Sequence, residues 1–121
     1  MIIAVDFDGT LHDGEWPGIG DPLPGAIWTM RRIMKDGHFL IIWTCREGKY
    51  KTEMYDWLKI YDIPFDDINC HCVELIEKFG YESRKIYADV YIDDRNLGGL
   101  PSWYEIYDII NGKMKPYWIY K

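Results

Sequence analysis

Met1-Ile2-Ile3-Ala4-Val5-Asp6-Phe7-Asp8-Gly9-Thr10 opens the chain and decides how the rest is read. Five apolar residues run into a pair of acids and a glycine. Such a short, continuously apolar segment reads as a strand buried on both faces, the kind found inside parallel sheets. Open α/β sheets bind ligands at the carboxyl ends of their strands, where Asp6 and Asp8 fall. In extended backbone, residues two apart leave on the same side, so the two carboxylates are expected to share one small volume. Their mutual repulsion, made worse by burial, then has to be offset by a bound cation, a shared proton, or both. Gly9 permits a sharp turn, and Thr10 offers a hydroxyl to hold it.

Working outward, residues 11–22 form a loop with three glycines and two prolines. Loops of that length beside a functional strand end are often functional themselves. Pro24 and the apolar spacing of Ala26, Ile27, Met30, Ile33 and Met34 predict a helix over 23–35, ended by Asp36-Gly37. A second buried strand, 38–43, runs into Thr44-Cys45-Arg46. Met54, Trp57, Leu58 and Tyr61 give a core-facing helix over 50–61. Residues 68–73 read as a short strand or an irregular connection, and 74–79 as a turn or two of helix before Gly80. Ala88–Ile92 is the next strand and closes on Asp93-Asp94, with Lys85 just ahead of it and Asp89 read as structural. A last helix over 102–111 has Ser102 as its cap. The aromatic end, 114–121, reads as an edge strand covering the sheet or forming a subunit contact.

The 121 residues make one domain, 1–121, too short for two. A net charge of −6 argues against a nonspecific nucleic-acid binder. No run reaches membrane-spanning length, and no basic, apolar leader opens the chain. Three cysteines (Cys45, Cys70, Cys72) make no disulfide framework, which suits a reducing cytoplasm, the expected location. Cys70-His71-Cys72 lacks the second ligand pair that zinc sites need. The C-x5-R loop of cysteine phosphatases is absent too, since Lys51 stands where Cys45 would require the arginine.

The ordered set of Asp6-Phe7-Asp8-Gly9-Thr10, Thr44 after the second strand, Lys85, and Asp93-Asp94 resembles the haloacid dehalogenase-like (HAD) phosphohydrolase superfamily. The resemblance spans residues 1 to about 98. It implies an α/β fold: a three-layer, doubly wound, mostly parallel, Rossmann-like sheet without a folded cap domain. It further implies a Mg²⁺-dependent phosphomonoester hydrolase working through an aspartyl-phosphate. Asp6 is then the nucleophile and Asp8 the general acid and base. Thr44 binds a phosphoryl oxygen, and Lys85 stabilises the phosphoaspartate, with Arg84 and Lys78 as its competitors. The metal set is Asp6, the Asp8 carbonyl, Asp93 and Asp94. Thr10, Arg46 and His12 are candidate substrate contacts, as are Glu15 and Trp16 on the loop where the superfamily carries a flap. Each loop residue reads equally as plain surface, and Arg46 as a surface residue opening the next helix. The implied substrate is a phosphorylated small molecule, such as a nucleotide or sugar phosphate, or a nucleic-acid end. No membrane partner is expected, and the aromatic C-terminus suggests a homo-oligomer. Receiver-like phospho-accepting domains are the alternative, although they place paired acids first and the Thr and Lys later.

Overall fold

A computed structural model describes residues 1–112. The expected edge strand at 114–121 lies outside them. Four strands and four helices alternate: β1 (Ile2–Asp6), α1 (Ala26–Lys35), β2 (Phe39–Trp43), α2 (Gly48–Ile60), β3 (Asp67–Ile68), α3 (Val73–Phe79), β4 (Val90–Ile92) and α4 (Trp103–Ile110). The strands form one sheet in the order β3-β2-β1-β4 with every pairing parallel. This is an α/β fold of Rossmann-like character.

β1 sits in the middle because its apolar run can be buried on both sides. Ile3 and Val5 are fully buried and Ala4 nearly so. Register carries the acids to one edge: Asp6 lies opposite Trp43 at the end of β2, and Val5 opposite Ile92, the residue before Asp93. Asp89 is structural, as the sequence indicates. Its carboxylate accepts the Ile2 N–H at 2.7 Å and its own N–H donates to the Ile2 carbonyl, which sets β4 against β1.

The side chains of Met30 and Ile33 from α1, Met54 and Leu58 from α2, and Trp103 and Ile106 from α4 complete the core. Burying each large side chain contributes roughly 1.5–3 kcal/mol. α1 begins three residues later than its periodicity predicts. Gly25, at φ 81°, holds a left-handed conformation that does not continue a helix, and the turn closes instead from Ala26 N–H to the Leu23 carbonyl. α4 starts as expected, the Ser102 hydroxyl accepting from the Glu105 N–H at 3.2 Å. The connection after α2 resolves into a strand of only two residues. No helix among the described residues is long and apolar enough to cross a membrane.

Candidate active site

β1 ends at Asp6, and the chain then tightens into a turn in which the Thr10 and Leu11 N–H groups both donate to the Phe7 carbonyl. The two acids flank the start of this turn, and their carboxylates share no hydrogen-bond partner.

Asp6 meets the acids that follow β4. Oxygens of Asp6, Asp93 and Asp94 lie within 4.8 Å of one another. Burial first, then the charge of Asp93 and the proximity of Asp94, push the Asp6 carboxyl up from 3.8 to about 7, against a hydrogen bond from Thr10 that pulls it down. Among the described residues, no basic side chain forms an ion pair with any of the three.

Thr10 ties the two strand ends together. Its Oγ1 lies 3.0 Å from Asp6 Oδ2 and 3.3 Å from Asp94 Oδ1, and it accepts the Asp94 N–H at 3.0 Å. With a single hydroxyl proton, it donates to one carboxylate at a time. Its carbonyl accepts the Trp103 indole N–H at 2.8 Å, anchoring the turn to α4. The hydroxyl is fully buried and fully engaged, so Thr10 positions the carboxylates rather than binding substrate.

Gly9 is what lets Asp94 come this close. A Cβ at Gly9 would stand 2.3 Å from Asp94 Oδ2, and the residue's φ of +81° disfavours any side chain. Gly9→Ala is expected to destabilise the fold by about 1–3 kcal/mol, which urea denaturation of the variant checks.

Asp8 faces Arg46 and His12. Arg46 Nε donates to Asp8 Oδ2 at 2.8 Å and Nη2 to Oδ1 at 2.7 Å, a bidentate grip. His12 Nε2 lies 2.9 Å from the same Oδ1. Burial pushes the Asp8 carboxyl up, but the Arg46 and His12 hydrogen bonds outweigh it and hold it below the usual carboxylate range. Its carboxylate is not part of the three-acid cluster, which leaves only the main-chain carbonyl for the metal role that the resemblance assigns.

Two expected substrate contacts are thereby corrected. His12 is fully buried: Nδ1 accepts the Gly14 and Gly20 N–H groups at 3.0 and 3.1 Å, so the ring proton sits on Nε2, facing Asp8. Arg46, with 1% exposure, also donates to the Pro17 carbonyl at 3.1 Å and the Tyr50 carbonyl at 3.4 Å. His12 has no capacity left for a phosphate, and buried Arg46 commits four of its five N–H groups to Asp8 and to carbonyls; both fix Asp8.

Thr44 follows β2 at the same edge, and its main chain is clamped by Asn69. The Asn69 side-chain oxygen accepts the Thr44 N–H and its NH₂ donates to the Thr44 carbonyl, both at 2.8 Å. The Thr44 hydroxyl accepts the Arg46 N–H at 3.1 Å, which leaves its own proton to donate. Lys85 is not brought to the carboxylates. It lies ahead of β4 whereas the acids lie behind it, and its ammonium sits over the Tyr91 ring, 5.3 Å from the centroid. Its competitors Arg84 and Lys78 are exposed as well.

Sequence reasoning missed Asn69, Trp103 and the Gly9–Asp94 contact. Asn69 adopts a positive φ of 54°, which asparagine tolerates better than most residues, but nothing local marks its partner 25 residues away.

Fold and site together define an α/β protein with a carboxylate cluster at the carboxyl edge of a parallel sheet. No protein-family model matches the chain, nor does any curated protein. A solved structure of a conserved protein coded by a locus from Bacteroides thetaiotaomicron is similar at 40% identity and a TM-score of 0.85, covering 100% of this chain and 98% of that one. The chain belongs to the same family as that Bacteroides protein.

Proposed function

We propose that the chain is a Mg²⁺-dependent phosphomonoester hydrolase of the HAD type that works through an aspartyl-phosphate on Asp6. The observation that carries this reading is the gathering of Asp6, Asp93 and Asp94 within 4.8 Å at one strand edge while Arg46 holds Asp8 separately. Right-handed crossovers along the order β3-β2-β1-β4 would put α1 and α2 on one face and α3 on the other, the three-layer form of this class.

The donor set fits a hard divalent cation. It is all oxygen, and burial together with the neighbouring charges of Asp93 and Asp94 lifts Asp6 to about 7, which a cation would offset. Asp93, Asp94 and Asp6 would hold Mg²⁺, which when bound offsets charge on the transferring phosphoryl group. An oxygen of ionised Asp6 forms a bond to phosphorus as the bond from phosphorus to the ester oxygen breaks. The departing oxygen takes a proton from Asp8, which Arg46 and His12 hold ionised at rest and which draws that proton from the phosphate monoanion or from solvent as the ester binds. Asp8 then takes a proton from water, whose oxygen attacks the phosphorus of the aspartyl-phosphate, releasing inorganic phosphate and restoring Asp6. The free Thr44 proton is available to a phosphoryl oxygen. Lys85 joins only if its side chain leaves the Tyr91 ring.

Phosphate release from a panel of phosphomonoesters, with and without Mg²⁺, tests the reading. Release that requires the cation is expected, and no release from any ester would overturn it. A second measurement checks the metal set. Cation binding below pH 7 must displace the proton on Asp6, so added Mg²⁺ is expected to raise the melting temperature more at pH 8 than at pH 5.5. An equal gain at both pH values would separate the metal from Asp6.

A further inference from the structure

Loop 13–20 is tied down twice. Gly14 and Gly20 meet back to back, so that a Cβ on Gly14 would stand 2.3 Å from the Gly20 nitrogen, and His12 Nδ1 binds both N–H groups. Arg46 then staples the loop to the end of β2 through the Pro17 carbonyl. On that buried guanidinium lies the Trp16 ring, with the Arg46 carbon 4.7 Å from its centroid, and the Tyr50 ring flanks it at 5.2 Å. Despite this fixation the indole is 57% exposed. Seated on Arg46 and paired with Tyr50, the ring offers a fixed flat face on which another planar group can stack.

Its position gives the surface a use. If Asp8 protonates the leaving oxygen, as proposed above, then Asp8 marks the leaving-group side of the reacting phosphorus. Trp16 is separated from Asp8 by one side chain, Arg46, which touches both. Resting on that hydrolase reading, we propose that loop 13–20 is a preformed wall whose Trp16–Tyr50 pair stacks the leaving group, so that the site selects phosphate carried on a planar aromatic group.

Non-hydrolysable phosphonates test this apart from catalysis. With Mg²⁺ present, calorimetry compares phenylphosphonate with methylphosphonate on the wild type, Trp16→Phe and Trp16→Leu. Leucine keeps apolar bulk but loses the flat π-face. The wild type is expected to prefer the phenyl compound by about tenfold, Trp16→Phe to keep most of that preference, and Trp16→Leu to lose it. Tyr50→Leu, which removes a ring beside Trp16 but none of the hydrogen bonds that staple the loop, is expected to reduce the preference as well. Equal binding of both phosphonates by the wild type, no binding of either, or a preference that survives Trp16→Leu would overturn the proposal. Because no arm reads turnover, a chain that shows the preference yet hydrolyses no ester would refute the hydrolase reading alone.

Discussion

Asp6→Asn is expected to lower phosphate release by on the order of 10⁴-fold or more, while raising the melting temperature of the metal-free protein at pH 8. The first effect follows because the amide matches the carboxylate in size but cannot form the aspartyl-phosphate. The second follows from the crowding that makes the site useful. Asp6 in the folded chain titrates near 7, against 3.8 as its ordinary value, so folding carries a penalty for ionising it that grows as pH rises from 3.8 and is complete above 7. Asparagine removes the charge and with it the penalty. The stabilisation is therefore expected to be largest at pH 8 and to shrink by pH 5, where the folded wild type already holds the proton. Thermal melts at the two pH values check the sign. A variant less stable than the wild type at pH 8 would contradict the electrostatic account, whatever its activity.

Arg46→Gln is expected to cost about 2–4 kcal/mol of stability at pH 7 and about 10²-fold in turnover. Removing the guanidinium leaves the Asp8 carboxylate with His12 as its remaining partner and the Pro17 and Tyr50 carbonyls without their donor. The stability term has a defined pH dependence. Asp8 is held below 3.8 in the folded state, so its contribution is present above that value and is lost as pH falls through the lower, folded one. The gap between variant and wild type should accordingly narrow below pH 3.8, which urea denaturation at pH 7 and pH 3 measures. Whichever limb of the turnover profile Asp8 sets, alkaline as acid or acidic as base, should move to higher pH, since the variant no longer holds the Asp8 carboxyl down. Arg46→Lys is expected to rescue poorly, because one ammonium cannot reproduce a bidentate grip together with two carbonyl contacts.

How legible the molecule was in its sequence depended on the reach of the interactions. The central strand was readable because burial on both faces leaves a continuous apolar run, and the acids at its end because a parallel sheet brings strand termini to one edge. Asp6, Asp93 and Asp94 come together for that reason, 87 and 88 residues apart. The role of Arg46 was not readable. A basic residue after a strand reads as surface or as ligand, and only the folded turn at Phe7–Leu11 shows Asp8 waiting for it. His12 was misread as a contact for the same reason, since its buried seat depends on Gly14 and Gly20 approaching each other. Lys85 was placed by motif order alone, and order along the chain does not say where a long side chain in a connection will lie. Helix starts shifted where a single residue, Gly25, adopts a conformation that apolar periodicity does not report.

The central claim, that Asp6 carries the phosphoryl group, is tested most directly by trapping. Wild-type protein turning over p-nitrophenyl phosphate with Mg²⁺ is quenched in acid, digested and examined by mass spectrometry. One phosphoryl group on Asp6, absent without Mg²⁺ and absent from Asp6→Asn, is the expected result. Hydrolysis that proceeds with no phosphorylated peptide at Asp6, or with the group on another residue, would contradict it.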